Sequence, residues 1–127
     1  MIYLIDTSAW IEYIEGSSAG EKVSNYLNNE SNEILTTPVN IAETIAKVKK
    51  IGGNVELAYN IIVSSSSLIE LTSELSKEAG ILYVQQREKN GSFGLIDAIV
   101  IKAAQMNNAK LVTKDQHFKN FKETIII

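Results

Sequence analysis

The chain opens with Ile2-Tyr3-Leu4-Ile5, an unbroken apolar run that ends at Asp6. Such a run marks a strand covered on both faces, because a strand with one wet face alternates apolar and polar residues. Four further short segments read as strands: Glu33–Thr36, Leu68–Leu71, Lys110–Thr113 and Thr124–Ile127. Between them the apolar residues fall at helical spacing. Thr7 and Ser8 offer caps for a helix carrying Trp10, Ile11 and Ile14, and a second helix is expected over Ala19–Asn29. Thr37-Pro38 joins a capping hydroxyl to proline at a first helical position, predicting a helix that runs to Ile51 and stops at Gly52-Gly53. Val55–Val63, Ser73–Lys89 and Gly94–Met106 read as three more helices, and Gln116–Phe121 as a helical turn. Strands separated by helices require crossovers, so the fold class is α/β, a parallel sheet of four to five strands with helices on both faces. In such a sheet ligands bind beyond the carboxyl ends of the strands, where the strand order switches.

Composition narrows the chemistry. The chain has 127 residues, 45% of them apolar, enough for one core, and the only low-complexity stretch, Ser64–Ser67, reads as a helix end and turn. A single domain over residues 1–127 is therefore expected. The absence of cysteine excludes a disulfide framework, a thiol nucleophile and a thiolate zinc site. No apolar run approaches the roughly 18–20 residues needed to span a bilayer. The opening residues lack a basic region and a long enough apolar stretch for a signal peptide, so a cytoplasmic protein is expected. Twelve basic against fifteen acidic residues give a net charge of −3, which by itself disfavours a nonspecific nucleic-acid binder. Only three of the acids are aspartates: Asp6, Asp97 and Asp115. Setting these three and one glutamate aside as cation ligands leaves eleven acids against twelve bases, a remainder of +1.

The aspartates have informative positions. Asp6 follows the first strand and Asp115 the fourth, so both emerge at the carboxyl edge of the sheet. Taken singly, each is also accounted for as a loop residue or helix cap. Asp97 shares a helix face with Val100, Ile101 and Ala104, which implies partial burial and a need for a partner. A helix N-terminus and a metal ion would serve equally well. Glu43 sits among apolar neighbours one turn inside its helix, and Lys47 at i+4 offers an ordinary surface pairing. Taken together, four acids near strand ends and helix starts would repel one another unless cations held them. An all-oxygen donor set suits Mg²⁺ or Mn²⁺, and with His117 the only imidazole a zinc site is not expected. His117 itself reads as a solvated loop residue. Carboxylate-held metals suit phosphodiester cleavage by activated water, which needs no protein nucleophile and accords with the lack of a Ser-His or Cys-His arrangement.

Four motifs carry a resemblance across nearly the whole chain. They are Ile5-Asp6-Thr7-Ser8, Glu43 in its helix, Gly94-Leu95-Ile96-Asp97-Ala98, and Thr113-Lys114-Asp115-Gln116-His117-Phe118. In this order and spacing the chain resembles the PIN-domain family, in particular the VapC-like toxins of type II toxin–antitoxin systems. The resemblance implies a three-layer α/β/α fold and Mg²⁺- or Mn²⁺-dependent endoribonuclease activity. It implies that Asp6, Glu43, Asp97 and Asp115 line the site, with Asp6 and Asp97 as the most direct metal ligands. Thr7 and Thr113 would support the ligands or position water. An RNA substrate, a VapB-like antitoxin and a homodimer are further implications. The chain departs from the family pattern at Ser92–Ile96, where a small polar residue near Asp97 is not cleanly present, and in having Arg87 as its only arginine. RNA phosphates would then fall to lysines: Lys114, Lys119 and Lys122, or Lys47, Lys49 and Lys50. Each of these is equally at home as a solvated surface residue.

Two other readings are weighed beside it. A receiver-like phospho-switch shares the length, the alternation and the acids, but Leu68–Thr72 offers no phosphoryl-accepting aspartate. A non-catalytic PIN-like module binding RNA or protein is the other. Trp10 and the tail Ile125-Ile126-Ile127 read as core; an edge strand made of that tail would need a partner.

Overall fold

β1 (Ile2–Ile5) occupies the centre of a five-stranded sheet ordered β3-β2-β1-β4-β5, with every pairing parallel. The computed structural model describes Met1–Ile127. The other strands are β2 (Glu33–Thr36), β3 (Ser67–Leu68), β4 (Lys110–Thr113) and β5 (Thr124–Ile126). The helices are α1 (Thr7–Glu15), α2 (Ser18–Leu27), α3 (Pro38–Lys50), α4 (Val55–Ser65), α5 (Ser73–Arg87) and α6 (Leu95–Met106). A 3₁₀ turn covers Gln116–Phe118. The three-layer α/β/α arrangement expected from the sequence is present.

Register and pleat assign the two faces. Leu4 lies beside Leu35 on one neighbour and Leu111 on the other, so three leucines form a row on one face. That row packs with Leu75, Ala79 and Leu82 of α5 and with Ala98 and Ile101 of α6. Ile5, Ile34 and Val112 turn to the opposite face and pack with Trp10 of α1, Val23 of α2 and Ile62 of α4. The topology explains this division. The chain steps from β1 through β2 to β3 on one side, then returns past β1 to reach β4. Right-handed crossovers taken in opposite directions lay their helices on opposite faces. The change of direction sets the switch point between β1 and β4.

Local signals set most boundaries. α1 ends at Gly16, whose φ of 72° closes the helix in the left-handed region. Thr37 accepts the Asn40 amide at 3.1 Å, and Pro38 follows as the first helical residue.

The third strand departs from expectation. It comprises Ser67–Leu68 rather than Leu68–Leu71 and lies at the edge of the sheet. Ile69 still bonds back to the Thr36 carbonyl at 2.8 Å, after which the chain leaves to begin α5. An edge strand has one neighbour, and the apolar residues Ile69 and Leu71 pack against the core without extending the ladder. Because this strand is peripheral and carries no aspartate, the receiver-like reading is lost. The tail is also not simply core. β5 is the other edge strand, and Ile126 is partly exposed, whereas Trp10 is fully buried as expected.

Candidate functional site

The carboxyl ends of β1 and β4 deliver Asp6 and Thr113 to one point beside the switch in strand order. Thr113 Oγ1 donates to Asp6 Oδ2 at 2.6 Å, and Asn40 Nδ2 donates to Asp6 Oδ1 at 3.0 Å. Asp6 stands at the N-cap of α1, yet its side chain makes no capping bond. The capping role allowed by the sequence is therefore not the one its carboxylate performs. Thr7 Oγ1 accepts from Asn40 at 3.0 Å and donates to Glu43 Oε1 at 2.8 Å. Glu43 makes no ion pair with Lys47, correcting the surface pairing that their i+4 spacing allows. The α3 face turns Glu43 inward to a hydroxyl, while Lys47 lines the same pocket.

Asp97 takes the helix N-terminus as its partner, the first of the two that its sequence leaves open. In the first turn of α6 its Oδ2 accepts the Gly94 amide at 2.8 Å, and it also borders the pocket. Asp115 Oδ1 accepts the His117 backbone amide at 2.9 Å and lies 2.9 Å from His117 Nδ1. Asp6, Glu43, Asp97 and Asp115 thus line a single cavity of about 80 Å³, with Thr7, Ser8 and Lys47 also in its wall. Larger depressions border the amino ends of β2 and β3, around Glu33 and Ser67, away from these acids.

Electrostatics mark the same place. Burial pushes the Asp6 carboxyl above its ordinary 3.8; the Thr113 hydrogen bond opposes the rise, and the charges of Glu43 and Asp115 add to it. Asp97 is likewise raised, chiefly by burial, with the Gly94 amide opposing and Asp115 adding. None of the four acids pairs with a lysine or arginine, so buried negative charge is held here only by neutral donors and one imidazole.

This donor set fits a hard divalent cation. Carboxylate oxygens without cationic partners, among them those of Asp6 and Asp97, whose pKa values burial raises, are what such an ion relieves. No three Asp, Glu or His residues converge closely enough to chelate one ion directly.

Sequence reasoning missed three participants. Asn40 is fully buried and binds Asp6, Thr7 and Thr37 at once; its signal was its position three residues before Glu43 on one helix face. Ser8 accepts the Lys114 amide at 2.9 Å and lies 3.1 Å from Thr113 Oγ1. His117 is exposed, as expected, and Ser92 Oγ stands 3.2 Å from its Nε2. A serine–histidine pair therefore exists; the residues lie 25 positions apart, and only folding brings them together. Among the candidate phosphate-binding lysines, Lys114 is tied to Glu12 by an ion pair.

A family model described as PIN domain matches residues 3–123. No curated protein gives a significant sequence match. Similar solved structures include VapBC2 from Rickettsia felis bound to a DNA fragment from its promoter, with a TM-score of 0.74 and 22% identity, covering 100% of this chain and 98% of that one. A toxin–antitoxin complex from Klebsiella pneumoniae gives 0.72 and 20% identity, covering 97% and 95%. VapC20 from Mycobacterium tuberculosis, a sarcin–ricin loop cleaving toxin, gives 0.73 and 16% identity, covering 92% of each chain. At these identities the likeness establishes a common fold.

Proposed function

The chain belongs to the PIN domain family, whose model spans residues 3–123 of its 127, and from that premise we propose that it is a divalent-metal-dependent endoribonuclease, the toxin of a toxin–antitoxin pair. The observation that carries this reading is the convergence of four acids from separate segments on one cavity that also contains Lys47. Mg²⁺ or Mn²⁺ is the proposed cofactor, which Asp6 and Asp97, with Glu43 and Asp115 beside them, would hold. When present, such an ion lowers the pKa of a coordinated water and offsets the charge that develops on phosphate.

The chain's own groups supply the remainder. Thr113 and Asn40 fix both oxygens of Asp6. Thr7 fixes Glu43, and the Gly94 amide fixes Asp97. Lys47 places positive charge in the cavity wall, where a phosphodiester oxygen would lie. No helix is long and apolar enough to cross a membrane, and action on cytoplasmic RNA is part of the proposal. A VapB-like antitoxin is proposed as partner because similar structures include toxin–antitoxin complexes. The apolar cavity lined by Ile11, Ile14, Val48, Ile51 and Leu57 is a surface for it to cover. Homodimerisation is proposed with it.

The test is cleavage of labelled RNA by purified protein with Mg²⁺ or Mn²⁺. Asp6→Asn and Asp97→Asn are expected to abolish cutting while retaining the fold. Equal cleavage by wild type and both variants would overturn the proposal. The wide spacing of the acids favours one second reading, a non-catalytic binding module of the same family. Heat stabilisation by divalent ions separates the two, since the module would show none.

A further inference from the structure

At the rim of the acid pocket, two consecutive residues of one loop meet two of another. Ser92 Oγ stands 3.2 Å from His117 Nε2, and the buried rings of Phe93 and Phe118 meet edge-on with centroids 6.5 Å apart. On the other side of the imidazole, Nδ1 lies 2.9 Å from Asp115 Oδ1; since a carboxylate accepts, Nδ1 carries the proton. With the proton on Nδ1, Nε2 is an acceptor that the rotatable Ser92 hydroxyl can reach, while the Ser92 backbone amide anchors the residue by donating to Asn90 Oδ1 at 3.1 Å. Arg87 Nη1 donates to the Phe93 carbonyl at 3.2 Å. The next residue, Gly94, gives its amide to Asp97 at 2.8 Å. A contact series thus runs from Asp115 through His117 and Ser92 to the residue that holds Asp97.

A serine, a histidine and an aspartate in this order suggest nucleophile activation, but the surroundings argue against it. Asn90 Oδ1, 2.7 Å from the Ser92 hydroxyl, competes with Nε2 for its one hydrogen, and Ser92 lies exposed in a turn. What the geometry does accomplish is mechanical. Asp97 and Asp115 come from different segments, and no hydrogen bond joins them directly.

We propose that His117 is a positioning residue that clasps the Asp115 carboxylate to the 88–94 loop and thereby sets the spacing between Asp115 and Asp97. The aromatic pair beneath supplies packing without direction, and the imidazole supplies direction through its two fixed nitrogens. The consequence for catalysis rests on the nuclease reading above, whereas the clasp itself does not.

The test compares His117→Ala, His117→Asn and Ser92→Ala. His117 and Ser92 are exposed, so each variant keeps the Phe93–Phe118 packing. Asparagine retains a donor where Nδ1 stands but cannot reach Ser92. In metal-free protein, amide hydrogen exchange at Gly94 is expected to quicken in all three variants. In RNA cleavage, His117→Ala is expected to lower kcat at least about tenfold with little change in KM, as for misplaced catalytic groups. His117→Asn is expected to recover part of that loss. Unchanged Gly94 exchange, or a loss residing in KM alone, would overturn the clasp. If wild type cleaves no RNA, the nuclease reading falls separately, and Gly94 exchange in Ser92→Ala still decides the clasp.

Discussion

Thr113 donates its hydroxyl to Asp6 Oδ2 at 2.6 Å across 107 positions of chain. The bond joins two adjacent strands at the switch in sheet order. It satisfies the carboxylate's hydrogen-bonding needs without cancelling its charge, as does the bond from Asn40. Asp6 is therefore a buried carboxylate that no cationic side chain pairs with, and burial raises its pKa.

Replacing that charge should stabilise the metal-free chain. In Asp6→Asn the new oxygen can accept from Asn40, and the new amide can donate to a Thr113 hydroxyl that turns toward Ser8. We expect a melting midpoint a few degrees above wild type at neutral pH without divalent ions, together with complete loss of RNA cleavage. Thermal denaturation followed by circular dichroism provides the check; a lower midpoint would show that the charge is already compensated.

The gap between those two proteins should depend on pH. Asp6 has a folded pKa above 3.8, so between that value and its raised one the folded chain binds more protons than the unfolded chain. Wild-type stability relative to Asp6→Asn should accordingly be best below this window and decline as pH rises through it. The deficit should then persist at neutral pH. Saturating Mn²⁺ should remove it, since an ion at 100 times its Kd adds about 2.7 kcal/mol to wild type. Paired melts across pH, with and without Mn²⁺, measure both effects.

Asn40 joins β1, α1 and α3 through Asp6, Thr7 and Thr37, and it is fully buried. Asn40→Ala leaves several of these groups unpaired and should cost about 1–3 kcal/mol in chemical denaturation. Cleavage should fall as well, because both Asp6 and the hydroxyl holding Glu43 lose a constraint.

Lys47 and Lys114 should behave differently toward RNA. Lys47 lines the acid cavity without an ion pair, whereas Lys114 is held by Glu12. Lys47→Ala should weaken RNA binding across sequences and reduce the slope of log affinity against log salt by about 1. Lys114→Ala should change that slope less. Binding isotherms at several salt concentrations, using Asp97→Asn protein to prevent cleavage, distinguish the two.

Trp10 anchors the second core and donates its indole N–H to Thr36 Oγ1 at 3.2 Å. Trp10→Ala should cost about 3–5 kcal/mol. Because β2 leads directly into α3, the loss should also blunt cleavage under conditions where the variant remains folded.

Much of this architecture is written locally. The apolar run before Asp6, the Thr37-Pro38 start and the periodicity of α6 each act within a few residues, through burial of both strand faces, capping and a fixed φ. Placing Asp6 and Asp115 at one edge required only that the strands be parallel. β3 was less legible, because apolar residues that pack under a loop look the same as residues in a ladder. Glu43 was ambiguous for a similar reason: i+4 spacing brings Lys47 within reach, but α3 packing gave the carboxylate the Thr7 hydroxyl instead.

The sequence alone determined the alternation of strands and helices, the parallel sense of the sheet and the four acids, since these depend on short-range periodicity and residue chemistry. Tertiary structure decided which groups hold those acids. Asn40 against Asp6, Thr113 against Asp6, and Ser92 against His117 are contacts between residues 34, 107 and 25 positions apart. Their existence depends on crossover direction and strand register, which no single segment encodes.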